Sequence, residues 1–216
     1  MGLIIGYIQS LIFLILSNNS WPNIASVMIC VVSGYFITGG LHIDGLMDAF
    51  DGIYAGRKKM LKAMKDSRVG SFGVQALLII TLIQFASLIK INNYIIYTLP
   101  ICLFWGRFST LILIDKFKYL NYKKKSVLHK KYWRGLKRES YISIFLIVAM
   151  IFIYICFLKS FSNSILSLIL LSTGLLVSTT IPLVLGKKSG GFNGDLCGAS
   201  VILVETTMLF IHSILL

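Results

Sequence analysis

Gly39-Gly40-Leu41-His42-Ile43-Asp44-Gly45-Leu46-Met47-Asp48-Ala49-Phe50-Asp51-Gly52 holds three of the eight acidic residues of this 216-residue chain within eight positions. Steps of four and then three residues bring Asp44, Asp48 and Asp51 onto one face if the segment is helical. Three carboxylates on one stripe repel one another unless a cation or a proton compensates them. Ligands that offer only oxygen suit a hard cation such as Mg²⁺, which keeps waters and also takes phosphate oxygens. His42 falls on the opposite side of the stripe and is expected to have a separate role or none. The plainer alternative is a solvated acidic helix end. The neighbouring apolar run and the basic character of the rest of the chain argue against it.

Composition sets the class. With 56% hydrophobic and 13% charged residues, this is not a soluble globular chain. Apolar runs of about 15–22 residues predict an all-α, polytopic membrane bundle, because lipid forces backbone groups to pair within each segment. A single membrane-embedded domain, 1–216, accounts for the length. The expected spans are Leu3–Leu16, Ile24–Leu41, Val74–Ile89, Tyr94–Ile114, Tyr141–Leu158, Ile165–Leu185 and Leu196–Leu216: about seven, or six if the short first one does not cross. The first run has neither a basic leader nor a small-residue cleavage site, so no cleavable signal is expected. Cys30, Cys102, Cys156 and Cys197 show no paired spacing and read as small apolar residues.

The formal charge of +13 is not a nucleic-acid signature, since the basic residues sit between spans. The loops His42–Gly73, Asp115–Ser140 and Gly186–Asp195 carry six, ten and two of them, against two in all the short links. Positive-inside bias therefore puts all three long loops in the cytoplasm, in contact with lipid head groups or phosphate. The loop from Tyr119 to Arg138 interleaves Lys and Arg with Tyr, Trp and His129, as expected of a lipid-facing surface.

Other motifs open to the same face. Gly56–Lys65 predicts an amphipathic surface helix. Asp66-Ser67-Arg68, followed by Gly70 and Gly73, suits a phosphate and its counter-ion, or a capping turn. Gly190, Gly191 and Gly194 precede a helix whose free N–H groups would cradle an anion. Asp195 there either caps that helix or adds a fourth carboxylate. Arg107 and Glu205 lie about 12 and 14 Å deep at 1.5 Å per residue. Charges at that depth are costly unless paired, which predicts an ion pair or a shared polar cavity. Together these residues describe a divalent-metal-dependent membrane phosphotransferase.

The run from Gly39 to Gly52 resembles the signature of the cobalamin synthase family, adenosylcobinamide-GDP ribazoletransferase. Met64–Gly73 is similar to that family's next block and Gly106-Arg107 to its Gly-Arg pair. Gly190–Asp195, with Gly198-Ala199 and Glu205, resembles its last block. Asn193 stands where Thr is common, and Ile202 where some members are acidic. The resemblance implies that the hydroxyl of α-ribazole, or of its 5′-phosphate, attacks the phosphate of adenosylcobinamide-GDP and releases GMP, with Mg²⁺ required. It implies Asp44, Asp48, Asp51 and His42 as catalytic and Asp44, Asp48, Asp51, Asp195 and Asp66 as metal ligands. Arg68, Ser67, Arg107, Gly190, Gly191 and Gly194 would bind substrate phosphate, and Glu205 would support the site. A CDP-alcohol phosphotransferase is the alternative, but the second half of its ordered aspartate signature is missing. A cation or metabolite transporter is the alternative from another class, and no internal repeat supports it.

Overall fold

The computed structural model describes residues 1–120, 133–141, 144–145, 147–149 and 161–216, without the side chains of 161–167. Most of the expected span Tyr141–Leu158, most of the basic loop with His129, and Cys156 lie outside these residues. Among the described residues the chain is all-α apart from one isolated parallel bridge, Tyr119 to Phe192. Among the described residues the helices that fix the architecture are α1 (Gly2–Asn18), α2 (Asn23–Ile37), α3 (Leu41–Tyr54), α4 (Met60–Ala63), α5 (Ser71–Ile91), α6 (Ile95–Lys116), α7 (Phe161–Ser189) and α8 (Gly194–Leu215). Cys30, Cys102 and Cys197 are free thiols.

Among the described residues, three stretches are long and apolar enough to cross a membrane: Ser71–Lys116, Leu168–Ser189 and Gly194–Leu215. The bent pair α2 and α3 makes a fourth if it is one span. Side-chain bonds to α8 show that the first stretch doubles back. Gln84 of α5 bonds Thr206, while Ser109 and Cys102 of α6 meet Ser200 and His212. With the glycine contacts described below, α5 runs parallel to α8 and α6 antiparallel. The reversal falls at Asn92, whose φ of 40° leaves the helical region. At 21 and 22 residues, α5 and α6 are each about 30 Å long, the thickness of a bilayer core.

Helix α2 ends at Ile37, short of the expected Leu41, and α3 leaves it at 85°. Gly39 and Gly40 both have positive φ, 61° and 72°. A Cβ at either would meet no atom within 4 Å, so the left-handed backbone and not crowding asks for glycine. The amphipathic helix expected over 56–65 is only the single turn α4. Buried Met60 and Met64 pin it beneath Gly52.

Helix α1 packs one face along α6 and leaves the other exposed. A methyl at Gly2 would lie 2.3 Å from Leu103 O, and one at Gly6 would lie 2.4 Å from Pro100 Cα. Ser10 continues the stripe and bonds Gly6 O at 2.8 Å. This Gly-x-x-x-Gly-x-x-x-Ser spacing lets two backbones approach, as small residues do between membrane helices.

Candidate active site

Helix α3 lies across the N-terminal ends of α5 and α8 and does not continue α2 through the bundle. Gly45 marks one crossing: a methyl there would lie 2.9 Å from Asp195 O and 3.1 Å from Asp195 Cα. A methyl at Gly198 would lie 3.2 Å from His42 Cα. The second crossing is at Asp51, whose two carboxylate oxygens accept the N–H groups of Gly70 and Gly73, both at 2.8 Å. Helix α5 has no side-chain cap of its own, so Asp51 supplies one from outside and sets a negative charge against the positive helix end. Because backbone blocks the first crossing, Gly45→Ala must prise α3 off α8. We expect about 1–3 kcal/mol of lost stability, read as a lower melting temperature in detergent, together with impaired turnover. A variant with wild-type melting and turnover would contradict this packing.

The crossing assembles a cluster of carboxylates. Asp44, Asp48 and Asp51 line α3, and Asp195 arrives in the first turn of α8. Asn193 holds that turn: its Oδ1 accepts Leu196 N–H at 2.9 Å and its Nδ2 donates to Asp195 Oδ2 at 2.7 Å. Burial, then the charges of Asp44, Asp195 and Asp51, push the Asp48 carboxyl up to about 6. Asp48 therefore lies within reach of the charges of the other three.

The donor set is oxygen-only and anionic, and its mutual repulsion is what a hard cation would relieve. Among the described residues, no three His, Cys, Asp or Glu side chains converge closely enough to hold a metal ion by themselves. Mg²⁺ is usually bound by only one or two carboxylates, with waters and substrate phosphates filling its shell.

Below α3 the charges expected at depth are paired. Arg107 donates to Glu205 and, at 3.2 Å, to Leu103 O. Gly106 makes room, since a methyl there would meet Glu205 Cγ at 2.6 Å. His42, on the far side of α3 from the aspartates, lines a cavity of about 30 Å³ with Arg107, Glu205, Gln84 and Tyr35. Burial, then the Arg107 charge, hold its imidazole down to about 4, so it is neutral at pH 7.

Two groups of sequence-predicted residues fall elsewhere. Asp66 is engaged by Arg68, which donates Nε at 3.0 Å, Nη2 at 2.8 Å and its backbone N–H at 3.1 Å. These bonds hold Asp66 down to about 2. Asp66 lines a groove that Asp51 borders, with Arg68 as its partner, and Ser67 is exposed. The amides of Gly190 and Gly191 both donate to Gly186 O and close the end of α7. They are spent there and are not offered to an anion. Gly194 alone of the three faces open ground, with nothing within 4 Å of a Cβ built on it.

The chain matches the family described as Cobalamin-5-phosphate synthase over residues 1–213. It belongs to that family. It is similar to proteins named adenosylcobinamide-GDP ribazoletransferase from two Prochlorococcus marinus strains. The identities are 43% over 216 residues and 36% over 217, covering 100% of this chain and 83% and 84% of theirs. A Clostridium tetani protein of the same name is 34% identical over 219 residues, covering 97% and 82%. No solved structure matches.

The cobalamin-5-phosphate synthase resemblance rests on blocks far apart in sequence, and the fold brings them together. The first block meets the last at Gly45 and Asp195 and at His42 and Gly198. It meets the second through Asp51, Gly70 and Gly73. Sequence reasoning missed Gly45 and Gly198 as the contact that places Asp195. It also missed Tyr54 and Phe72, whose rings stack 4.2 Å apart, and Arg57, whose guanidinium covers the Gly190 turn. Nothing local marks a glycine as a helix-crossing point when its partner is 150 residues away.

Proposed function

We propose that the chain transfers the adenosylcobinamide phosphate group of adenosylcobinamide-GDP to α-ribazole or α-ribazole 5′-phosphate. A ribose hydroxyl oxygen forms the new bond to phosphorus, the bond from that phosphorus to GMP breaks, and GMP leaves. The observation that carries this reading is the meeting of the family's first and last blocks at Gly45 and Asp195 in one carboxylate cluster.

One or two of Asp44, Asp48 and Asp195, together with water and substrate phosphate oxygens, would hold the cation. Mg²⁺ supplies charge neutralisation across a pyrophosphate that four carboxylates would otherwise repel. Asp51 fixes the spacing of α3 and α5 through its two amide bonds, and a carboxylate of the cluster takes the attacking hydroxyl's proton. Neutral His42 and the Arg107–Glu205 pair support α3 from below. Positioning and electrostatics do the work, as in other phosphoryl transfers.

The reading includes a single membrane domain with about seven passes in the cell membrane. The long loops at the α3 end face the cytoplasm, where the basic residues concentrate. The deciding experiment incubates the purified protein with Mg²⁺, adenosylcobinamide-GDP and α-ribazole. Stoichiometric GMP and a joined corrinoid are expected. A folded protein that yields neither returns the CDP-alcohol phosphotransferase and transporter readings to the front.

The raised carboxyl predicts a pH-dependent metal response. Asp48 moves from 3.8 to about 6 on folding, so the folded chain binds more protons than the unfolded one between those values. Without metal, this group makes stability fall as pH rises through that window. Mg²⁺ must displace the proton, so it should raise the melting temperature clearly at pH 7.5 and little at pH 5. Equal Mg²⁺-induced shifts at the two pH values would remove Asp48 from the cation site.

A further inference from the structure

Beside the carboxylate cluster lies an open groove of about 520 Å³, walled by Asp51, Tyr54, Asp66, Arg68, Gly70 and Phe72. Its chemistry is unlike that of the cluster. Tyr54 and Phe72 stack with an interplanar angle of 7° and are 55% and 42% exposed; Lys188 Nζ lies 5.6 Å from the Tyr54 centroid, so Phe72 is the ring of the pair left for a ligand to stack on. At the groove's polar edge Asp66 and Arg68 are bound to each other but not used up. Oδ2 of Asp66 accepts one bond and keeps acceptor capacity. Arg68 gives only its Nε and one Nη2 hydrogen to the carboxylate and keeps the other guanidinium hydrogens. Asp51 borders the groove and also acts on Asp48, so the groove adjoins the carboxylate cluster.

An aromatic wall stacks any nucleobase. The polar edge is selective. Guanine presents N1–H and N2–H₂ donors that a carboxylate accepts, and O6 and N7 acceptors that a guanidinium matches. Adenine offers a lone pair at N1, which a carboxylate repels. We propose that this groove is the guanine subsite for the donor nucleotide, with Phe72, stacked on Tyr54, as its stacking wall and the Asp66–Arg68 pair reading the base edge. The inference rests on the proposed ribazoletransferase reaction, and it gives Asp66 a role in place of metal binding.

The test is equilibrium binding of GMP, IMP and AMP to the detergent-solubilised full chain, alongside KM for each substrate. The wild type should bind GMP at least about tenfold more tightly than AMP. Phe72→Ala should weaken GMP by about tenfold, and Phe72→Tyr should restore it. Asp66→Asn should erase the preference for GMP over IMP, which lacks the exocyclic amine, and raise KM for adenosylcobinamide-GDP but not for α-ribazole. GMP affinity unchanged in Phe72→Ala and Asp66→Asn, with wild-type melting temperatures, overturns the proposal. So does a rise in KM for α-ribazole alone, which would make the groove an acceptor site. Nucleotide binding needs no turnover. A wild type that forms no product but shows these preferences therefore fails the reaction and keeps the subsite.

Discussion

Asp48→Asn is expected to lower GMP release by about a hundredfold or more, the scale on which a group facing transition-state charge acts, while the protein melts no lower than wild type. The two outcomes have opposite signs for one reason. Burial, then the repulsion of Asp44, Asp195 and Asp51, pushes the Asp48 carboxyl up to about 6. An uncharged side chain of the same shape relieves that repulsion in the folded state and removes the charge that would hold the cation. Asp51→Asn should behave differently. Both Asp51 oxygens accept backbone N–H groups, and an amide nitrogen would point a donor at one of them. About 1–2 kcal/mol of stability should be lost, as for a broken helix cap. Measuring GMP release and melting side by side separates the roles. An Asp48→Asn protein with normal turnover would remove the carboxylate cluster from the chemistry.

Breaking the Arg107–Glu205 pair is expected to be the most destabilising change available outside the apolar core. Glu205 is buried and Arg107 largely so, and Gly106 lets the two helices close around them. Removing one partner leaves the other charge without compensation, at a cost of about 3–5 kcal/mol. Arg107→Ala and Glu205→Ala should each lower the melting temperature sharply. Replacing both together, Arg107→Met with Glu205→Leu, should recover much of the loss, because no charge is then left buried. The cycle is read from melting temperatures of all four proteins in one detergent. If the single changes are mild and add up in the double, the pair is not a strut. Activity need not recover in the double variant, since Arg107 also sets the field at His42.

Legibility in the sequence followed the range of the interaction. Helix positions came from apolar runs. Expected ends such as Val74–Ile89 and Leu196–Leu216 fall within a few residues of α5 and α8. The exception is α2, where the pair Gly39-Gly40 was visible but its turn of 85° was not. The face shared by Asp44, Asp48 and Asp51 follows from a local helix, and the equal depth of Arg107 and Glu205 from counting turns. Which oxygens remain available was not legible. Asp51, Asp66 and the Gly190–Gly191 amides all have partners that the sequence had offered as ligands for a metal or phosphate.

By itself the sequence determined that this is a helical membrane protein with an acidic stripe on one short helix. Hydropathy and helical periodicity act within a segment, and lipid leaves a buried backbone no other way to pair. Only the tertiary structure decided that Asp195 completes the cluster, that Asp51 ties α3 to α5, and that Asp66 belongs to a separate groove. Those outcomes depend on glycines that let backbones from distant parts of the chain approach so closely that a methyl on Gly45 would lie about 3 Å from Asp195, and on donors competing for the same carboxylate oxygens. Neither has a local signature.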